Sequence, residues 1–188
     1  SSYYQQTDVV HLSRDLLGKV RCTKVDGIYT SGVISETEAY AGITDKASHA
    51  YGGRRTARTE VMYAEGGISY VYLCYGIHYL FNVVSNKEDV PHAILIRGIQ
   101  PLDGIPTILE RRNKSKLTKD ICIGPGKVSQ GLGISMAQNA LPLTADQIWI
   151  EDRGIQPSSK EIIAGPRVGS DYAGEDALLP YRCQLKPD

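Results

Sequence analysis

Apolar and polar positions recur along this chain with periods that change several times, and each change marks an element. Val9, Leu12 and Leu16 recur at helical spacing behind Asp8, whose short side chain suits an N-cap, and Gly18 supplies a stop. An extended run around Val20 and Cys22, an Asp26–Gly27 pair and a second extended run ending at Tyr40 predict a β-hairpin. Along residues 32–40 a period of two puts Ile34, Glu36, Glu38 and Tyr40 on one face of the strand. Residues 41–59 are rich in Gly, Arg, Ser and Thr and predict a long loop with at most a short helix. Loops of that length inside a compact domain are usually functional.

Residues 68–84 hold two β-rich runs flanking Tyr75–Gly76, which predicts a tight hairpin with Tyr75 at its tip. Ala93 to Ile96, ending in Arg97, predicts another strand. Pro106 fits the first turn of a helix reaching about Arg112, and Pro125 opens a further helix after Gly124. The segment Gly124-Pro-Gly-Lys127 is not a phosphate-binding P-loop, because Ile121 stands where the first glycine belongs and Val128 replaces the Ser/Thr. There is no internal repeat and no linker, so the pattern predicts one mixed α/β domain over residues 1–188.

The four cysteines lie far apart with no C-x-x-C, which argues against a zinc finger and suits reduced thiols in an intracellular protein. No apolar run approaches a membrane span, and no basic-then-apolar leader is seen, so no membrane partner is expected. A net charge of zero speaks against a nucleic-acid binder until its distribution is read. Lys46, Arg54, Arg55 and Arg58 fall in a stretch without acids between Asp45 and Glu60. Arg111, Arg112, Lys114, Lys116, Lys119 and Lys127 make a second basic region, while acids gather towards the C-terminus. Either these are a solvated mixed surface or they give one face a field that tracks phosphates.

Two carboxylates at i and i+2 on a strand, Glu36 and Glu38, are ordinarily its solvated side. With Tyr40 on the same face and His49 soon after, one of them is also a candidate base, since a carboxylate among aromatic groups can activate water against an anomeric carbon. The four histidines (His11, His49, His78, His92) show no metal-ligand spacing, so no metal is expected. Tyr70 and Tyr72 suit either a core face or a pocket. Tyr75 at an exposed turn gains nothing from burial, and a protruding aromatic is what fills the gap left by an extruded base.

In order, Glu38-Ala-Tyr40, Ala47-Ser-His49, Tyr70-Val-Tyr72, Tyr75-Gly-Ile-His-Tyr79, Asn82, Ile94-Leu-Ile-Arg97 and Gly124-Pro-Gly-Lys127 closely resemble the alkyladenine (3-methyladenine) DNA glycosylase family. The resemblance runs from about Asp8 to Tyr181. It implies an α+β fold with a curved, largely antiparallel sheet, a protruding β-hairpin and peripheral helices. The implied activity is hydrolysis, without strand-nicking lyase chemistry, of the glycosidic bond of alkylated or deaminated purines flipped from duplex DNA. The implied protein is a monomer that needs no cofactor and works in the cytoplasm or nucleoid of a bacterium, or in a eukaryotic nucleus.

By the same resemblance, Glu38 would deprotonate the attacking water, with Glu36 a second choice, and Arg97 would hold that water and the neighbouring phosphate. Tyr40 and His49 would sandwich the base, Tyr72 would close the pocket and Tyr70 would line it. Asn82 would crowd the 2-amino group of guanine. Tyr75 would enter the minor groove with Ile77 beside it, and Arg54, Arg55, Arg58 and Lys127 are candidates for the DNA backbone. Ala57, Thr59 and Ile77 depart from the family's usual residues in segments expected near DNA. Arg167-Val-Gly169 and Pro180-Tyr-Arg182 also match and are read as structural. Two rivals stay open: a binding module without chemistry, and a hydrolase of free nucleosides or sugars using Glu36 and Glu38.

Overall fold

The computed structural model describes residues 2–144 and 146–187. Asp8 caps α1 (Val9–Asp15) by accepting the His11 N–H at 2.9 Å, which satisfies one of the free donors at the helix start. Asp26 and Gly27 both take positive φ, the geometry of the tight turn between β1 (Val20–Val25) and β2 (Ile28–Tyr40). The remaining strands are β3 (Ser69–Cys74), β4 (His78–Ser85), β5 (His92–Pro101), β6 (Ile148–Glu151), β7 (Ile162–Gly165) and β8 (Arg182–Leu185). Helices α2 (Ile105–Arg111) and α3 (Pro125–Leu132) each begin with proline in the first turn.

All pairings are antiparallel, and the sheet runs β3-β4-β5-β2-β1-β6 and curls into a half-barrel. The long β2 changes neighbours midway. Its first half pairs with β1, whereas Glu36–Glu38 pair with β8 on one side and β5 on the other. The two glutamates therefore sit in the interior of the sheet, which is why they are buried and not the solvated edge their spacing alone suggests.

Ile34 does not share the glutamate face. The β2–β5 register slips twice: Ile34 faces Ile99, Glu36 faces Gly98 and Thr37 faces Ile96. Ser35 on β2 and Arg97 on β5 are the extra residues of two compensating bulges, and a one-residue slip exchanges faces. Ile34 thus enters the main core with Ala39, Ile96 and Ile99, while Glu36, Glu38 and Tyr40 keep the opposite face. Gly98 makes this possible, because a Cβ there would lie 3.0 Å from Ser35 Oγ and 3.2 Å from the Glu36 Cβ. The strand predicted over residues 93–96 is likewise longer, continuing through this bulge to Pro101.

The main core joins α1, the apolar face of the sheet, and the inner sides of α2 and α3. A second cluster, Ala50, Met62, Tyr63, Tyr70, Val84 and Ala93, fastens the long loop onto the other face. That loop contains only 3-10 turns (Gly42–Thr44, Tyr51–Gly53, Thr59–Tyr63), as its composition predicts. All four cysteines are free thiols. Among the described residues no helix is long and apolar enough to cross a membrane.

Candidate active site

The loop, the bulged strands and the β3–β4 hairpin enclose a cleft of about 630 Å³, within the usual range for small-ligand sites. Glu38, Tyr40, His49, Tyr70, Tyr72, Tyr75, Asn82, Arg97 and Lys127 all line it, although they come from four strands, a loop, a turn and a helix. Alternation explains the set. Glu38 lies opposite Leu95, Leu95 opposite Asn82, and Asn82 opposite Tyr70, so these side chains emerge on one face in a row across the sheet.

Glu38 is fully buried. Its Oε1 accepts the Tyr40 hydroxyl at 2.8 Å and its Oε2 accepts the Val168 N–H at 2.7 Å. A carboxylate offers about four lone-pair sites, so two remain for a water or substrate in the cleft. Burial pushes the Glu38 carboxyl above the ordinary carboxylate range. The Val168 N–H, Arg97 and the Tyr40 hydroxyl oppose that rise, and Glu36 adds to it. The result is a more basic carboxylate than a solvated one, held by directed donors. Glu36 is differently placed. Arg97 Nε meets its Oε1 at 2.9 Å and Arg182 Nη1 its Oε2 at 3.1 Å, which leaves Arg97 Nε 3.9 Å from Glu38.

The aromatic wall is one packed unit. The His49 ring lies 4.7 Å from Tyr72 at a steep angle, Tyr70 and Tyr72 lie 5.3 Å apart, and His49 Nδ1 is 3.0 Å from the Tyr70 hydroxyl. Burial, helped by Arg58 and Arg54, pulls the His49 imidazole down to about 4, so the ring is neutral at ordinary pH. Asn82 is buried and donates to the Tyr70 carbonyl at 3.2 Å. Gly126 at the start of α3 admits the His78 ring, which would lie 2.9 Å from a Cβ there, and so brings Lys127 to the cleft.

Tyr75 caps the β3–β4 turn with φ +52 and is 94% exposed; Ile77 beside it is 72% exposed. A left-handed conformation costs an L-residue roughly 1–2 kcal/mol, and exposing the ring forgoes its burial energy. Two unfavourable features at one residue are characteristic of a functional position. Ile77, Arg54, Arg55 and Arg58 do not line the cleft. Arg58 lies near its rim, 5.7 Å from the Tyr72 ring centroid. Arg55 is engaged by Glu60 and Asp89 on the surface, and Arg111, from the second basic region, is turned inward to Thr30 and the Gly131 carbonyl.

Arg167-Val-Gly169, read from sequence as structural, supplies groups at the site, and Tyr172, which the sequence reading did not single out, joins them. Val168 acts through its backbone, which leaves no trace in its side chain. Arg167 is buried against Asp45 and touches the Tyr40 ring, and Tyr172 lines the cleft while donating to the Ala47 carbonyl at 3.1 Å. Among the described residues no group of three or more His, Cys, Asp or Glu could hold a metal ion.

The chain is 45% identical over 185 residues to a protein of Chlamydia felis named "Putative 3-methyladenine DNA glycosylase", covering 98% of this chain and 94% of that one. Proteins of the same name from Clostridium acetobutylicum and Bacillus cereus are each 44% identical, covering 97% and 98% of this chain and 92% and 94% of their own lengths. The family model for methylpurine-DNA glycosylases matches residues 2–188, and the chain belongs to that family.

Proposed function

We propose that this protein flips an alkylated or deaminated purine nucleotide out of duplex DNA and hydrolyses its glycosidic bond with a water activated by Glu38. The observation that carries the reading is a buried, donor-held carboxylate on the wall of an aromatic cleft whose rim carries an exposed tyrosine. The chemistry asks for each part. Cleavage develops positive charge on the sugar, which an adjacent carboxylate stabilises while it takes the proton of the attacking water. Base stacking on the rings of Tyr40, His49 and Tyr72 contributes roughly 1–3 kcal/mol per base, enough to offset much of the cost of extrusion. A neutral His49 and three tyrosines suit a cationic N3- or N7-alkylated purine, because π faces attract cations and no charged imidazole opposes them.

Asn82 is the residue that contacts the purine edge and disfavours guanine. Arg97, already drawn to Glu36, positions the water and the flanking phosphate. Tyr75 and Ile77 fill the vacated stack. Arg54, Arg58 and Lys127 meet the backbone, whereas Arg55 must first leave Glu60 and Asp89 to do so. A two-carboxylate hydrolysis of free sugars fits less well, because both oxygens of Glu36 are committed to arginines.

Single-turnover release of base from a duplex carrying one hypoxanthine or ethenoadenine tests this reading. Release by the wild type that disappears in Glu38→Gln, with duplex binding retained, is the expected result. No release from either duplex or from methylated DNA would overturn it. Lys127 is the lysine in the cleft lining. With water as the nucleophile, borohydride should trap no covalent DNA adduct, and an adduct lost in Lys127→Gln would show lyase chemistry instead.

A further inference from the structure

Asp45 and Arg167 form an ion pair whose side chains are 2% and 0% exposed. Buried pairs of this kind are a poor route to stability, since apolar residues of similar size usually serve as well or better. What this pair does is geometric. The Asp45 carboxylate accepts the N–H groups of Ala41 at 2.9 Å and Ala47 at 3.0 Å, which fixes the start of the loop carrying His49. Arg167 grips that carboxylate with both terminal nitrogens. It also donates to the Ala39 carbonyl on β2 at 2.9 Å and to the Asp176 carbonyl at 3.1 Å, and its guanidinium lies 5.0 Å from the ring centroids of Tyr40 and Tyr181.

The next residue, Val168, donates to Glu38, yet the residue is 52% exposed, so apolar burial does not hold it there. The Lys46 N–H to Asp176 carboxylate bond at 2.9 Å and the Tyr172 hydroxyl to Ala47 carbonyl bond close the same seam.

We propose that Asp45 and Arg167 are positioning residues: a clasp that sets the Val168 N–H on Glu38 and seats the Tyr40 ring in the cleft. The proposal rests on the reading of Glu38 as the general base. Opening the clasp frees residues 167–176, and Glu38 loses a directed donor. Glu38 otherwise faces Glu36 and Tyr40 on its own strand, Arg97 on β5, Tyr72 on β3, and Arg167 and Tyr172 in the C-terminal segment, with Arg182 of β8 acting through Glu36. Of these, Tyr40 and the C-terminal groups depend on the clasp. A donor to the ionised form favours that form, so its loss makes Glu38 harder to ionise.

A single substitution leaves the other charge buried and unpaired, which is costly in itself. The deciding variant therefore removes both charges, Asp45→Asn with Arg167→Met, and its thermal melt establishes that it folds. Single-turnover base release is then followed against pH. The rising limb should move up by about one pH unit, with rates below the limb falling roughly tenfold and recovering above it. A folded double variant with the wild-type limb and rates would overturn the clasp. Arg167→Lys, which keeps the charge but loses the two-pronged grip, is read the same way and decides the matter should the double variant not fold. Glu38→Gln is measured alongside. Full activity in that protein would remove the general-base reading, whereas a limb that depends on Glu38 but ignores the clasp variants removes only the clasp.

Discussion

The Tyr40 hydroxyl donates to Glu38 Oε1 at 2.8 Å, so the ring proposed to stack on a base and the carboxylate proposed to act on its sugar bond share one hydrogen bond. Burial, reinforced by the neighbouring carboxylate, holds the phenol proton far above its ordinary range, so Tyr40 stays a donor at any working pH. Tyr40→Phe keeps the ring and removes the donor. A hydrogen bond to a charged group is worth about 1.5–3 kcal/mol, of which part should reappear as a Glu38 carboxyl that is harder to ionise. The expected result is a rising limb moved up by about one pH unit, with rates below the limb falling roughly tenfold and lesion binding little changed. Equal losses in binding and turnover with an unmoved limb would detach Tyr40 from the chemistry.

Tyr75 stands at the hairpin tip in a left-handed conformation with almost its whole surface in solvent. If its ring replaces an extruded base, its contribution appears only where a stack has to be opened. Tyr75→Ala should therefore weaken binding to a paired lesion by about tenfold or more, corresponding to the roughly 1–3 kcal/mol of one stacking contact, while release from an unpaired lesion changes little. Competition binding on the two substrates measures this. Equal losses on both would rule out the wedge.

Much of this site is written in local pattern. The turn that exposes Tyr75, the Asp8 cap, the Asp26–Gly27 turn and the proline starts of α2 and α3 all follow from residue types with fixed local consequences. What local pattern misses is long-range or carried by the backbone. The double bulge that parts Ile34 from Glu36 arises between β2 and β5, about 60 residues apart, and a period-two reading of one strand does not register it. Arg167 looks like any surface arginine in the sequence, because the carboxylate that buries it lies 122 residues away. Val168 contributes an N–H that every residue but proline possesses. The zero net charge gave no sign of a DNA partner, yet the chain belongs to the methylpurine-DNA glycosylase family.

His49 ties acid stability to the pocket. Its imidazole takes a proton near 6.5 when unfolded but only near 4 in the folded protein, because burial, Arg58 and Arg54 all oppose the charge. Between those values the unfolded chain binds the extra proton. The stability this provides is complete above about pH 6.5 and is lost as the pH falls towards 4, by about 3 kcal/mol in all. Urea unfolding at pH 7 and pH 4.5 should show a smaller drop for His49→Phe than for the wild type. An identical drop in both proteins would place the acid sensitivity elsewhere.

Arg21 is among the largest fully buried side chains of the sheet, and among the described residues it has no carboxylate partner. Its guanidinium packs 3.7 Å from the Phe81 ring centroid, and Nη1 reaches the Cys22 carbonyl at 3.0 Å and the Trp149 carbonyl at 3.4 Å, while Nε and Nη2 have no hydrogen-bond partner among the described residues. Burial pulls it down to about 9, so it still carries its charge at neutral pH. Contact with an aromatic face returns about 2 kcal/mol when desolvated, whereas each buried unpaired donor costs about 1–3 kcal/mol, more on a charged group. The two losses exceed the one gain. Arg21→Met, which keeps the length and contact with Phe81 without the charge, should raise the urea midpoint by the equivalent of about 1–3 kcal/mol, and base release should be unaffected because Arg21 does not line the cleft. A lower midpoint would mean that the cation–ring contact outweighs the unpaired donors.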